Sequence, residues 1–148
     1  MPCCGRCNLA KSDLDTVIKP IINPYIDEPS DHLYVSLLKI KSKPGSIPGV
    51  NTVIELDLNN SRLITARGYL LSEIENITER ISRKIIEFKN STTVRVKSNR
   101  LGELLNLIDD LEDLMHPSHA YSFFCRAIIK SEDEYEQAKL IILAEVEN

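Results

Sequence analysis

The chain contains no tryptophan and only three phenylalanines and five tyrosines in 148 residues, so aromatic side chains are scarce. Proteins that grip single-stranded nucleic acid by stacking bases need a platform of such rings, and none accompanies the basic residues of this sequence. No window approaches the roughly 18 consecutive apolar residues of a membrane span, and the first residues hold no apolar stretch of the signal-peptide kind. A cytoplasmic protein without membrane contact is the expectation. Five Gly and seven Pro are too few for a fibrous or low-complexity chain. Cysteine is sparse as well. Cys3, Cys4 and Cys7 crowd together while Cys125 stands alone in an apolar run, which is not the spacing of a disulfide framework. Catalytic signatures are missing: there is no Gly-x-Ser-x-Gly elbow, no phosphate-binding glycine loop and no His-Glu-x-x-His pair. The sequence therefore points away from an enzyme.

What is present suits an ordinary folded domain, with 43% hydrophobic and 27% charged residues. The net charge of −4 conceals an asymmetry, because residues 1–100 carry 15 Lys/Arg against 11 Asp/Glu and residues 101–148 carry 3 against 11. Regions of opposite sign can steer partners through their summed field.

Periodicity predicts the elements. Leu14, Val17, Ile18 and Ile21 suggest a short helix from Ser12 to Ile21, and Pro24 and Pro29 mark a connector up to residue 30. Residues 33–41 and 52–58 are rich in β-formers and flank Pro44-Gly45 and Pro48-Gly49, which reads as a hairpin with a long loop. Ser61 is placed to cap a helix along Leu63, Ala66, Leu70, Ile74 and Ile77. Ile81, Ile85 and Phe88 allow that helix to continue to about Lys89, while the rival reading makes residues 84–88 a strand. Residues 92–97 alternate as a strand. A helix along Leu101, Leu104, Leu105, Ile108, Leu111 and Met115 stops at His116-Pro117. Residues 120–129 read as a buried strand, and Ser131 with Glu134 forms a capping-box pattern opening a last helix. The expected fold is a single α+β domain over residues 31–148, with a small antiparallel or mixed sheet and three to four helices. Residues 1–30 form a Cys-containing segment before it.

Two patterns carry chemistry. Cys4-x-x-Cys7 has the spacing that lets two thiolates chelate zinc, and His116 and His119 can supply the remaining two ligands of a tetrahedral site. Arg80, Arg83, Lys84, Lys89, Arg95, Lys97 and Arg100 make a basic stretch opposed in sequence only by Glu87, suited to phosphate contacts in nucleic acid. Asp109, Asp110, Glu112 and Asp113 interleave with the Leu101–Met115 stripe and read as its solvated side.

Residues 52–116 resemble the small dimerising, non-catalytic subunit of the KEOPS tRNA-modification complex, a family of short β-α-β-β-α proteins. The matching pieces are the strand Thr52–Leu58, the helix ending in Tyr69-Leu70-Leu71-Ser72-Glu73, an Arg at 80 or 83, the strand Thr92–Lys97, and the leucine-rich helix Leu101–Leu114 with Asn106 near its middle. Ser72 and Gly102 stand where that family has Pro and Arg. The resemblance implies a scaffold that dimerises and docks on a catalytic subunit, with no catalytic residue of its own. Leu107 and Leu114 widen the last stripe and are the expected interface. The function expected is a non-enzymatic interaction subunit, a homodimer or the partner of another protein; the alternatives are a basic-faced nucleic-acid-binding protein and a small zinc-binding protein.

Overall fold

The structure, a computed structural model, describes Leu9, residues 14–23 and residues 25–146. Cys3, Cys4 and Cys7 lie outside the described residues. The fold is α+β but mainly helical: among the described residues, six helices accompany one two-stranded antiparallel sheet. In chain order these are α1 (Pro29–His32), β1 (Leu33–Ser36), β2 (Lys39–Ser42), α2 (Ile47–Glu55), α3 (Ser61–Lys89), α4 (Val94–Met115), α5 (Ser122–Ile129) and α6 (Asp133–Val146). No helix among these residues is long and apolar enough to cross a membrane. The chain forms two compact units, Met1–Arg67 and Gly68–Asn148.

In the first unit β1 and β2 pair with Leu33 opposite Ser42 and Ser36 opposite Lys39, so Leu37 and Leu38 make a two-residue turn. Leu37 sits at φ 55, a conformation that costs a non-glycine residue about 1 kcal/mol or more. The expected partner strand at 52–58 is instead largely helix. Ser46 accepts a hydrogen bond from the Gly49 amide at 3.0 Å, and Pro48 sits in the first turn, so a capped helix start overrides the β-branched Val53 and Ile54. Gly49 is required by crowding, since a β-carbon there would lie 2.5 Å from the His32 carbonyl oxygen. Of the helix expected at 12–21, the described part is one turn, closed by Lys19 N–H donating to the Asp15 carbonyl at 2.8 Å.

Few apolar side chains are buried in this unit, chiefly Ile22 and Leu33, and side-chain hydrogen bonds hold its loops. Thr52 Oγ1 accepts from the Ile22 amide at 2.9 Å and donates to the Pro48 carbonyl at 2.7 Å. Asn59 mimics a strand neighbour: its Oδ1 accepts from Ile40 N–H at 2.9 Å and its Nδ2 donates to the Ile40 carbonyl at 2.8 Å. Arg67, 2% exposed, donates to the Leu38 carbonyl at 3.0 Å and to the Leu58 carbonyl at 2.7 Å. One guanidinium thereby ties the hairpin turn to the segment entering α3.

The second unit contains the larger core. The periodicity that allowed one helix up to Lys89 describes the molecule, and there is no strand at 84–88. Along α3, Ile74, Ile77, Ile81, Ile85 and Phe88 are buried at three- and four-residue spacing, and they share the core with Leu104, Leu107, Ile108 and Leu111 of α4. The strand expected at 92–97 is the start of α4, because Thr93 caps it by accepting from the Val96 amide at 3.3 Å. The alternating valines carried no buried face, Val94 being 86% exposed. Residues 120–129 form α5 rather than a strand, burying Phe124, Cys125 and Ile129. A short, mostly apolar run fits either element, and its length did not separate them. The capping box at Ser131 is also absent: its hydroxyl donates to the Ile128 carbonyl at 2.6 Å, and the Glu134 carboxylate accepts from Ser82 at 3.2 Å instead.

Replacing Arg67 by Met leaves the carbonyls of Leu38 and Leu58 without their donor. The expected loss is about 2–4 kcal/mol of stability in urea unfolding, by analogy with other buried charged hydrogen bonds. A loss below about 0.5 kcal/mol would contradict the role given to this residue.

Candidate interaction site

The basic stretch straddles the α3–α4 connection, and folding brings carboxylates to it that the linear sequence keeps apart. Lys84 pairs with Glu87 at 3.0 Å and with Glu103 at 2.9 Å, while Arg100 pairs with Glu87 at 3.1 Å and with Glu103 at 2.8 Å. Hydrogen bonding to Arg100 and then Lys84 lowers the Glu103 pKa; hydrogen bonds to Glu103 chiefly raise those of Lys84 and Arg100. Lys97 pairs with Glu145 of α6 at 2.6 Å and stands 5.1 Å over the Phe88 ring. These three cations therefore act as internal clamps, and Glu103 and Glu145 join Glu87 in opposing the stretch. Lys89 and Arg95 are exposed and enter no ion pair among the described residues. Arg83 borders a hollow of about 300 Å³ lined also by Glu79, Ser82, Glu132 and Glu134. Arg80, Arg83, Lys89 and Arg95 are exposed with no ion pair among the described residues, so the stretch is part clamp and part open surface.

The paired positions 84 with 103 and 87 with 100 set the register: α3 and α4 run antiparallel, so α3 residues before Arg80 lie beside the last turns of α4. There the two helices frame a groove of about 580 Å³. Its floor is Ile77 and Leu114, its α3 wall carries Tyr69, Glu73 and Arg80, and its α4 wall carries Asp110 and Asp113. None of these charged groups enters an ion pair among the described residues. Leu114 thus borders an open surface, whereas Leu107 is 3% exposed and belongs to the core, which removes it from any outward face. Asp110 and Asp113 are solvent-exposed as the spacing predicted, and Glu112 accepts from the Tyr135 hydroxyl at 3.1 Å.

The histidines of the proposed zinc set are locally engaged. His116 Nδ1 lies 2.7 Å from the Ser118 hydroxyl and accepts from the Ser118 amide at 3.3 Å; His119 Nδ1 accepts from the Tyr121 amide at 3.4 Å. No cluster of three or more metal-ligating side chains occurs among the described residues. Cys125 is fully buried, and burial first, then the Glu73 charge, pushes its thiol up to about 11, which makes it inert at neutral pH.

Among curated proteins, the chain is similar to the Septu protein PtuB of Bacillus thuringiensis, with 27% identity over 146 residues, 97% of this chain and 54% of that protein. The chain thus spans about half the length of the curated relative it matches. No protein-family model and no solved structure matches.

Glu132 provides a pH test of this surface. Burial first, then the negative charges of Glu134, Glu75 and Asp133, raise its pKa above the ordinary value of 4.5. A raised folded pKa means that stability present at low pH is lost as pH rises through it. Glu132→Gln is expected to melt higher than wild type at pH 7, with the advantage vanishing below about pH 4. An advantage independent of pH would contradict the electrostatic cause.

Proposed function

We propose that this chain is a non-enzymatic interaction subunit, the counterpart of one portion of a PtuB-like Septu protein, and that it works by holding a protein partner or a second copy of itself. The extent of the similarity supports the counterpart reading, since 97% of the chain aligns with part of a longer protein, while the interaction role is carried by an exposed apolar face. Exposed apolar positions agree with an interaction role. In α2, Ile47, Val50 and Ile54 share one exposed face while the buried positions are Gly49 and Thr52, the reverse of a helix that serves only its own core. The resemblance to the KEOPS subunit expected strands at 52–58 and 92–97, where the end of α2 with the turn after it and the start of α4 stand.

Affinity purification from native cells, followed by reconstitution from purified components, is expected to yield a complex of fixed stoichiometry that survives gel filtration. A chain that stays monomeric at high micromolar concentration and reconstitutes with no protein would overturn the proposal.

The Cys4-x-x-Cys7 spacing favours a second reading, a zinc-binding chain in which these thiolates supply half of a tetrahedral shell. Elemental analysis of the purified protein and its complex decides it: near-stoichiometric zinc lost in Cys4→Ser/Cys7→Ser supports it, and metal-free protein refutes it.

A further inference from the structure

The groove between α3 and the end of α4 has a shape and a charge order that define an occupant. Along α3 its wall runs from Tyr69 to Arg80, eleven helical rises, so it is about 16 Å long, the length of three helical turns. Tyr69, 76% exposed, marks one end as an aromatic anchor with little to cover it. Glu73, Asp110 and Asp113 make the middle negative from both walls, above the apolar floor of Ile77 and Leu114. In the antiparallel register Asp113 lies level with Glu73 and Asp110 level with Ile77, so Arg80 alone marks the other end. Three carboxylates and one guanidinium, with no ion pair among the described residues, make the groove net negative, with its positive charge at one extremity.

We propose that this groove seats a partner helix about three turns long that carries an apolar stripe flanked by Lys or Arg one turn apart, with an acidic residue at the end that meets Arg80. The proposal rests on the interaction reading above and names the chemistry of the partner. Apolar contact with Leu114, the more accessible part of the floor, supplies the non-directional part of binding. The carboxylates select against acidic partners, for which like charges at close range are repulsive, and Arg80 fixes the direction in which the helix lies. The groove lies wholly within the Gly68–Asn148 unit, so its walls belong to one compact body.

The test uses the full chain and fluorescein-labelled 14-residue amphipathic peptides with one leucine stripe. One peptide is flanked by lysines and ends in glutamate, a second has the same composition with the glutamate at the opposite end, and a third is flanked by glutamates. In fluorescence anisotropy at low salt the first is expected to bind at least about tenfold tighter than the third and measurably tighter than the second. Glu73→Lys/Asp113→Lys, both at exposed positions, is expected to weaken the first peptide about tenfold with an unchanged thermal melt, and Arg80→Glu to abolish the preference between the first two. Equal binding of lysine- and glutamate-flanked peptides, no binding of any, or indifference to the charge reversals in folded variants would overturn the proposal. The broader reading is judged separately. A stoichiometric complex from cells that persists with Glu73→Lys/Asp113→Lys would refute the groove as its seat and leave the interaction reading standing. Self-association of the wild type that these changes abolish would assign the groove to a second copy and overturn the foreign helix.

Discussion

The antiparallel seam between α3 and α4 is the constraint on which the second unit depends. Isolated helices are marginal in water, and most helical stability in proteins comes from packing an apolar face. Here Ile74, Ile81 and Ile85 on one side and Leu104 and Leu111 on the other supply that face, with α5 and α6 adding Phe124, Ile129 and Ala138. Near the α3–α4 connection the seam is reinforced by Lys84, Arg100, Glu87 and Glu103, whose four charges neutralise one another. Such exposed pairs contribute little energy singly; their effect is to fix register and to remove positive charge from the surface. At the opposite end of the hairpin the walls change from apolar to acidic, and the helices frame an open groove there.

The first unit is organised by a different means. With few buried apolar residues, it relies on polar side chains that satisfy backbone groups: Asn59 on both polar groups of Ile40, Thr52 between two segments, and Arg67 on two loop carbonyls. Buried polar bonds of this kind are directional, so they define loop conformation more sharply than they add stability. This arrangement leaves isoleucines of α2 facing outward, which gives the interaction reading a second apolar surface, separate from the groove.

The sequence was legible where periodicity was long and strict. The α3 stripe through Ile77 and the stop of α4 at His116-Pro117 followed from spacing and from proline chemistry, while spacing left residues 84–88 open between helix and strand. It misled where short β-branched runs stood beside a good helix cap. Ser46 and Thr93 each accept an amide of the first turn, and those bonds turned two expected strands, at 52–58 and 92–97, into helix. The short, mostly apolar run at 120–129 could not be resolved by pattern, since a run of that length fits a buried strand or a helix equally well. At the site, the basic stretch was visible but its partners were not: Glu103 and Glu145 are distant in sequence from Lys84 and Lys97, and only the helical hairpin and α6 bring them together. Arg67 and Asn59 gave no signal, because a buried arginine or asparagine looks in sequence like any surface residue.

The pairing of α3 with α4, two helices joined through residues 90–93, is the claim on which the clamp, the core and the groove all rest. Backbone chemical shifts from solution NMR test it directly at 79–89 and 94–97, where strand and helix readings diverge. The structure predicts Cα shifts displaced downfield and Cβ shifts upfield through both stretches, with the slowest amide exchange between Ile74 and Ile85. Extended-type shifts at 84–88 or 94–97, with cross-strand contacts between them, would contradict it.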